Sequence, residues 1–163
     1  MSGKEKYRLR GLVVSLNTPF DEHGRLDLES LERLVELHLR EGAVGFLAPA
    51  QAGEVHAPAL DEKLELVRVL RELTRGRAVL FASATAHQQR ERLAVAEAAV
   101  KLGCDGVLVE PPQELREREL ALREWFHEFA SLGMPLLVIQ DLDWQGWGLD
   151  VDLIARLFEE IPA

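Results

Sequence analysis

Three features of this 163-residue chain predict an α/β fold built on a parallel sheet. Short apolar, β-branched runs recur along it, and none alternates cleanly with polar residues. Each is followed by a longer amphipathic stretch. Successive runs begin about 30 residues apart, the length of one βα unit. Continuous apolar strands suit a sheet covered on both faces, and βα repeats imply parallel strands joined by right-handed crossovers.

The predicted strands are Leu12–Leu16, Val44–Ala48, Ala78–Ala82, Gly106–Val109 and Leu136–Gln140. Apolar residues at helical spacing follow them. Leu28, Leu31, Val35 and His38 form the first stripe. The second is Leu60, Leu64, Val67 and Leu70, and the third Leu93, Ala96 and Val100. Leu122, Trp125, Phe126 and Phe129 form the fourth; Leu153, Ile154, Leu157 and Phe158 open a fifth. Gly42 and Gly103 stand just past helices, where a left-handed residue is wanted. Asp150 suits the N-cap of the last helix. The run Arg116-Glu117-Arg118-Glu119 reads as a solvated helix face. The whole, residues 1–163, reads as one domain with a polar N-terminal arm over 1–10.

Pattern alone does not separate an open doubly wound sheet from part of a closed barrel. No G-x-G-x-x-G follows the first strand, which counts against a dinucleotide fold. Instead Leu16-Asn17-Thr18-Pro19-Phe20 follows, then a turn-like Asp21-Glu22-His23-Gly24.

Composition narrows the partners. The net charge of −9 repels a phosphate backbone and an anionic membrane surface. The apolar fraction of 47% is enough for a sizeable core. Cys104 is the single cysteine and has no disulfide partner in the chain, which fits a reducing cytoplasm. No apolar stretch of signal-peptide length follows the basic N-terminus. No cofactor or metal motif is present.

Several segments, taken together, are similar to a known family. Gly11-Leu12-Val13-Val14-Ser15-Leu16-Asn17-Thr18-Pro19-Phe20 resembles the opening strand of dihydrodipicolinate synthases and N-acetylneuraminate lyases, and Gly24-Arg25-Leu26-Asp27 the helix start behind it. Ala50-Gln51-Ala52-Gly53-Glu54 resembles their Gly-x-x-Gly-Glu segment. Glu110-Pro111-Pro112 resembles the Pro-Pro close of the fourth strand. Pro135 to Asp141 resembles the fifth, and the likeness continues into Ala155-Arg156-Leu157. It implies the N-terminal part, about five βα units, of an aldolase-type (β/α)₈ TIM barrel. It further implies a carbon–carbon lyase or synthase holding a small 2-oxo acid as a Schiff base on a lysine of the sixth strand. The same resemblance implies a tyrosine of the fifth strand that relays protons and two hydroxyl residues that grip the substrate carboxylate. A homo-oligomer, or a missing C-terminal half, completes the expectation.

This chain departs from that pattern. Its lysines are Lys4, Lys6, Lys63 and Lys101; each reads as a surface residue and none stands at a strand end. The sixth strand would lie beyond Ala163. Tyr7 is the only tyrosine, and Ile139 holds the position that the resemblance gives to the proton relay. Gln51 and Ala52 replace the hydroxyl pair. The chain is therefore expected to be inactive alone.

Barrel sites are built just past the strand ends. Thr18, Gln51, Ala52, Gly53 and Gln140 are the expected substrate contacts, and Glu54, Gln140 and Asp141 the catalytic candidates. Glu54 is either a general base or a structural acceptor for backbone N–H groups, with Gly53 easing the turn before it. Gln140 suits a substrate carbonyl or carboxylate; Asp141 and Asp143 are either site acids or ordinary loop acids. Ser83 and Thr85 belong to the same set. His56 and His87 read as single loop histidines, solvated or hydrogen-bonded locally, with a catalytic or metal role as the lesser alternative. Trp144 and Trp147 suit either a ligand pocket or an apolar interface. Two other functions compete. One is a metal-assisted aldolase or hydratase drawing Mg²⁺ or Mn²⁺ ligands from Glu54, His56, Glu110, Asp141 and Asp143. The other is a non-catalytic interaction module, since five strands leave the first and fifth as open edges.

Overall fold

The computed structural model describes residues 9–141 and 148–161. Among the described residues five strands and five α-helices alternate. They are β1 (Leu12–Ser15), α1 (Leu28–Arg40), β2 (Ala43–Ala48), α2 (Leu60–Thr74), β3 (Val79–Ser83), α3 (Gln89–Leu102), β4 (Gly106–Val109), α4 (Glu119–Ala130), β5 (Leu137–Ile139) and α5 (Val151–Glu160). The strands form one sheet in the order β1-β2-β3-β4-β5, and every pair is parallel. This is half of a barrel wall, with β1 and β5 at its open edges.

The two faces of the sheet are separated by strand parity. Val14, Phe46, Leu80, Ala82, Val107 and Val109 meet the helices in a continuous apolar core with Leu31, Val35, Leu66, Leu70, Val95 and Phe126. The opposite face carries Val13, Gly45, Val79, Phe81 and Gly106. A Cβ at Gly45 would lie 2.4 Å from the Val79 side chain, and one at Gly106 2.7 Å from the Phe81 ring. Glycine at both positions lets neighbouring strands carry bulky side chains on the concave face.

The helix ends follow local chemistry. Asp27 caps α1 by accepting from Ser30 N at 2.9 Å, and Asp150 caps α5 by accepting from Asp152 N and Leu153 N. Gly103 closes α3 in the left-handed conformation. Arg123 grips Glu160 through two hydrogen bonds of 3.0 and 2.6 Å, fastening α4 to α5.

Three expectations are corrected. Phe158 does not continue the core stripe of α5; Leu153 and Leu157 are buried, whereas Phe158 is 76% exposed at the groove beside the open edge strand β5. Arg116 is not on a solvated helix face: it precedes α4 and pairs with Asp141 at 3.1 Å. Lys63 is not a surface lysine. It is 5% exposed, on the inward side of α2 with Leu66, Val67, Leu70 and Thr74. Residues 63, 66, 67, 70 and 74 keep helical spacing, so packing draws the lysine stem inward.

Candidate functional site

The parallel order brings all five strand exits to one rim. Thr18 follows β1, Gln51 and Gly53 follow β2, Thr85 follows β3, Glu110 follows β4 and Gln140 follows β5. Four of the five expected substrate contacts stand on this rim as buried or half-buried residues, while Ala52 is exposed.

The segment after β2 folds as a 3₁₀ turn, Gln51–Gly53. Its glycine is required by close approach. A Cβ at Gly53 would sit 2.4 Å from the Leu16 carbonyl oxygen and 3.4 Å from Thr18 Oγ1. The left-handed residue is Glu54 itself, at φ 57°. The expected reason for Gly53, easing a turn, is therefore replaced by packing of the turn onto the β1 exit. Glu54 is exposed. Its backbone carbonyl accepts from Ala57 N at 2.8 Å, and its carboxylate has no hydrogen-bond partner among the described residues. The reading of Glu54 as a carboxylate acceptor for backbone N–H groups is not what this geometry shows.

The turn places Gln51 against the β4 exit. Gln51 Nε2 donates to Glu110 Oε2 at 2.8 Å, across a separation of 59 residues. A carboxylate only accepts, so the amide nitrogen must face it. Thr18 is 8% exposed, and its Oγ1 is buried without a hydrogen-bond partner; Gln140 Oε1 is likewise buried and unpartnered. Ser83 and Thr85 satisfy each other, Ser83 Oγ donating to Thr85 Oγ1 at 3.1 Å.

Beside this rim lies a basic group. His56 and His87 stack with ring centroids 4.5 Å apart and planes 16° from parallel, so they are a pair rather than two separate loop histidines. Burial lowers the His56 pKa, and the charges of His87 and Lys63 lower it further. Lys63 Nζ donates to the Thr85 carbonyl at 3.2 Å, so this amine does reach a strand exit. Its burial favours the neutral form and lowers its pKa.

This arrangement of strands and exits matches known proteins. The model of the dihydrodipicolinate synthetase family matches residues 8–163. The chain belongs to that family. Among curated relatives, 4-hydroxy-tetrahydrodipicolinate synthase of Pseudomonas aeruginosa is 33% identical over 123 residues, covering 76% of this chain and 42% of that protein. An uncharacterized DapA-like lyase of Rhizobium meliloti is 29% identical over 147 residues, covering 90% and 49%. The 4-hydroxy-tetrahydrodipicolinate synthase of Methylacidiphilum fumariolicum SolV superposes with a TM-score of 0.86 at 26% identity, over 94% of this chain and 51% of that one. The chain thus spans about half the length of the relatives it matches. It is the N-terminal part of the dihydrodipicolinate synthetase family's barrel.

Within that family framework the remaining candidates divide. Ile139 packs against the helix-side core, not on the concave face. Asp141 is occupied on both oxygens: Oδ1 accepts from Arg116 Nη1 at 3.1 Å and Oδ2 from Leu149 N at 2.7 Å. It ties the β5 exit to the start of α5. Asp143, Trp144 and Trp147 lie outside the described residues, as do Lys4, Lys6 and Tyr7. Among the described residues, no group of three or more His, Cys, Asp or Glu side chains comes together as a metal cage. Cys104 is buried and its thiol is pushed up to about 11 by desolvation, which disfavours the nucleophilic thiolate. No helix among the described residues is long and apolar enough to cross a membrane.

Sequence reasoning missed Lys63, the stacked histidines and the Gln51–Glu110 bond. Helical spacing puts Lys63 in line with Leu66, Val67, Leu70 and Thr74, while its charge argues for the surface. The two contacts across strands had no local signal.

Proposed function

We propose that this chain provides the β1–β5 half of a Schiff-base carbon–carbon lyase, and that the reacting amine comes from strands it does not contain. Its own rim orients a small carbonyl substrate, which in the family resemblance is a 2-oxo acid. One observation carries this reading: Thr18, Gln51, Glu110 and Gln140 gather at the exits of a parallel half-barrel, while no described lysine offers an open amine there. Lys63 is buried against the Thr85 carbonyl, and the Lys101 side chain is 78% exposed beside Glu97. A Schiff base needs a neutral amine that the carbonyl carbon can reach. Lys63 meets the first condition better than the second.

The experiment is borohydride trapping with pyruvate, read by intact mass and peptide mapping. No adduct is expected on this polypeptide. A stoichiometric adduct on Lys63 would overturn the reading by placing the nucleophile within this half.

A second reading, an interaction module, rests on a separate observation. An apolar groove of about 390 Å³ opens beside β5, lined by Met134, Leu137, Ile139, Ile154, Leu157 and Phe158. At the other edge Leu12 is 62% exposed. Apolar surface next to an unpaired strand favours association with another polypeptide segment. The two readings are compatible, since a completing half would cover both edges.

A further inference from the structure

We infer that Glu110 is the proton-transfer group of the substrate mouth, standing in for the phenol absent from the fifth strand. The inference rests on the rim being the mouth of a Schiff-base lyase, and it names the base of that same site.

Making or breaking a carbon–carbon bond beside an imine needs a group that moves a proton on the neighbouring carbon. Ile139 has no such group, and it packs toward the helices. The other acid–base side chains described at the strand exits are committed or turned outward. Asp141 has both oxygens occupied, and Ser83 and Thr85 bond to each other. Glu54 is exposed, and the exposed His56 and His87 are stacked on each other. Glu110 remains.

Its position suits the role. Val107 and Val109 of β4 face the helices, so Glu110 continues the alternation of Gly106 and Leu108 on the concave face. It is half-buried. Its Oε2 accepts from Gln51 Nε2 at 2.8 Å, a bond across the mouth between exits two strands apart. Its Oε1 has no hydrogen-bond partner among the described residues, so one oxygen is held and the other is left to take a proton. Gln51 Nε2 keeps a second N–H, and Gln140 Nε2 keeps two. Gln140 lies beside Glu110, its backbone N donating to the Val109 carbonyl at 2.9 Å. These amide donors suit the carboxylate of a 2-oxo acid and leave Glu110 for the carbon beyond the carbonyl. Arg92 and His56 offset the like charge at longer range.

The step balances within the site. A C–H bond of that carbon breaks, and its electron pair becomes the C=C bond of an enamine. The C=N pair moves onto the nitrogen of the primary amine, and Glu110 holds the proton until it is returned or exchanged.

A small primary amine in solution can take the part of the lysine. Methylamine and pyruvate form the iminium, and exchange of the methyl protons in D₂O is followed by NMR with and without the polypeptide. The polypeptide should accelerate the amine-dependent exchange, saturably in pyruvate. Glu110→Gln should lower that excess rate by about tenfold or more, and Glu110→Asp should keep part of it. If Glu110→Gln does not fold, Glu110→Ala gives the same reading, with added formate restoring the excess rate. Pyruvate binding is measured in parallel by saturation-transfer NMR. Bound pyruvate without excess exchange overturns the inference and leaves the rim as the mouth. So does an excess rate that Glu110→Gln leaves unchanged. Absence of pyruvate binding removes the mouth itself, and the inference with it.

Discussion

The imidazoles of His56 and His87 lie face to face, 4.5 Å between ring centroids, although 31 residues separate them in the chain. The contact joins the β2 exit to the β3 exit above the buried Lys63. Desolvation disfavours protonated His56 most, and the charges of His87, Lys63 and Arg92 add to it, with Glu110 opposing. Its folded pKa is therefore depressed below 6.5, and the unfolded chain binds that proton more readily. The linked stability is fully present above pH 6.5 and is lost as pH falls through the lower folded value. Thermal melts between pH 7.5 and 5.5 should show falling Tm. His56→Gln should flatten that slope, and an unchanged slope would count against the coupling.

Replacing Lys63 sets two opposing effects against each other. Lys63→Met removes a hydrogen bond to the Thr85 carbonyl and also relieves a desolvated amine. The two effects oppose each other, so the net change at pH 7 should stay within about 1 kcal/mol of zero. Urea denaturation measures it. A loss several times larger would mean that the ammonium is better solvated than its burial implies.

Gly53→Ala forces a methyl against the Leu16 carbonyl. Backbone has to move, and the cost should be about 1–3 kcal/mol. The Gln51–Glu110 bond should loosen with it. Chemical denaturation reports the first effect, and the amide side-chain resonance of Gln51 reports the second.

Asp141→Ala removes the acceptor of Arg116 and of the Leu149 N–H. Truncating a half-buried charged acceptor costs about 1–3 kcal/mol. Hydrogen exchange should rise first at Leu149 and the start of α5. Uniform exchange across the sheet would show that Asp141 has no local anchoring role.

The open edges are the subject of the last expectation. The isolated polypeptide should bind an apolar dye and associate in light scattering. Leu12→Lys with Phe158→Glu should reduce both. A stable monomer that ignores the dye would remove the reading of these edges as docking surfaces.

Much of the wall was legible from residues alone. Gly106–Val109 coincides with the observed strand, and the other strands differ by a residue or two at their ends. Apolar run length and spacing determine these elements, and both are local properties. Asp150 and Gly103 were legible as caps because capping depends on a few neighbouring residues. Phe158 was not placed correctly, since helical spacing does not say how far the sheet extends beneath a helix. The rim was legible as a set of positions, from Thr18 to Gln140. Its connections were not: Gln51 with Glu110, and His56 with His87, depend on curvature that brings separate exits together.

The strict succession β1 to β5 bears on how the molecule is assembled. Each new strand docks on the one made just before it, and each helix covers a surface already in place. Growth can therefore proceed in the direction of synthesis, with short-range contacts formed before long ones. At every stage the advancing border is a strand with one free side, so a following unit can be added without dismantling the earlier ones.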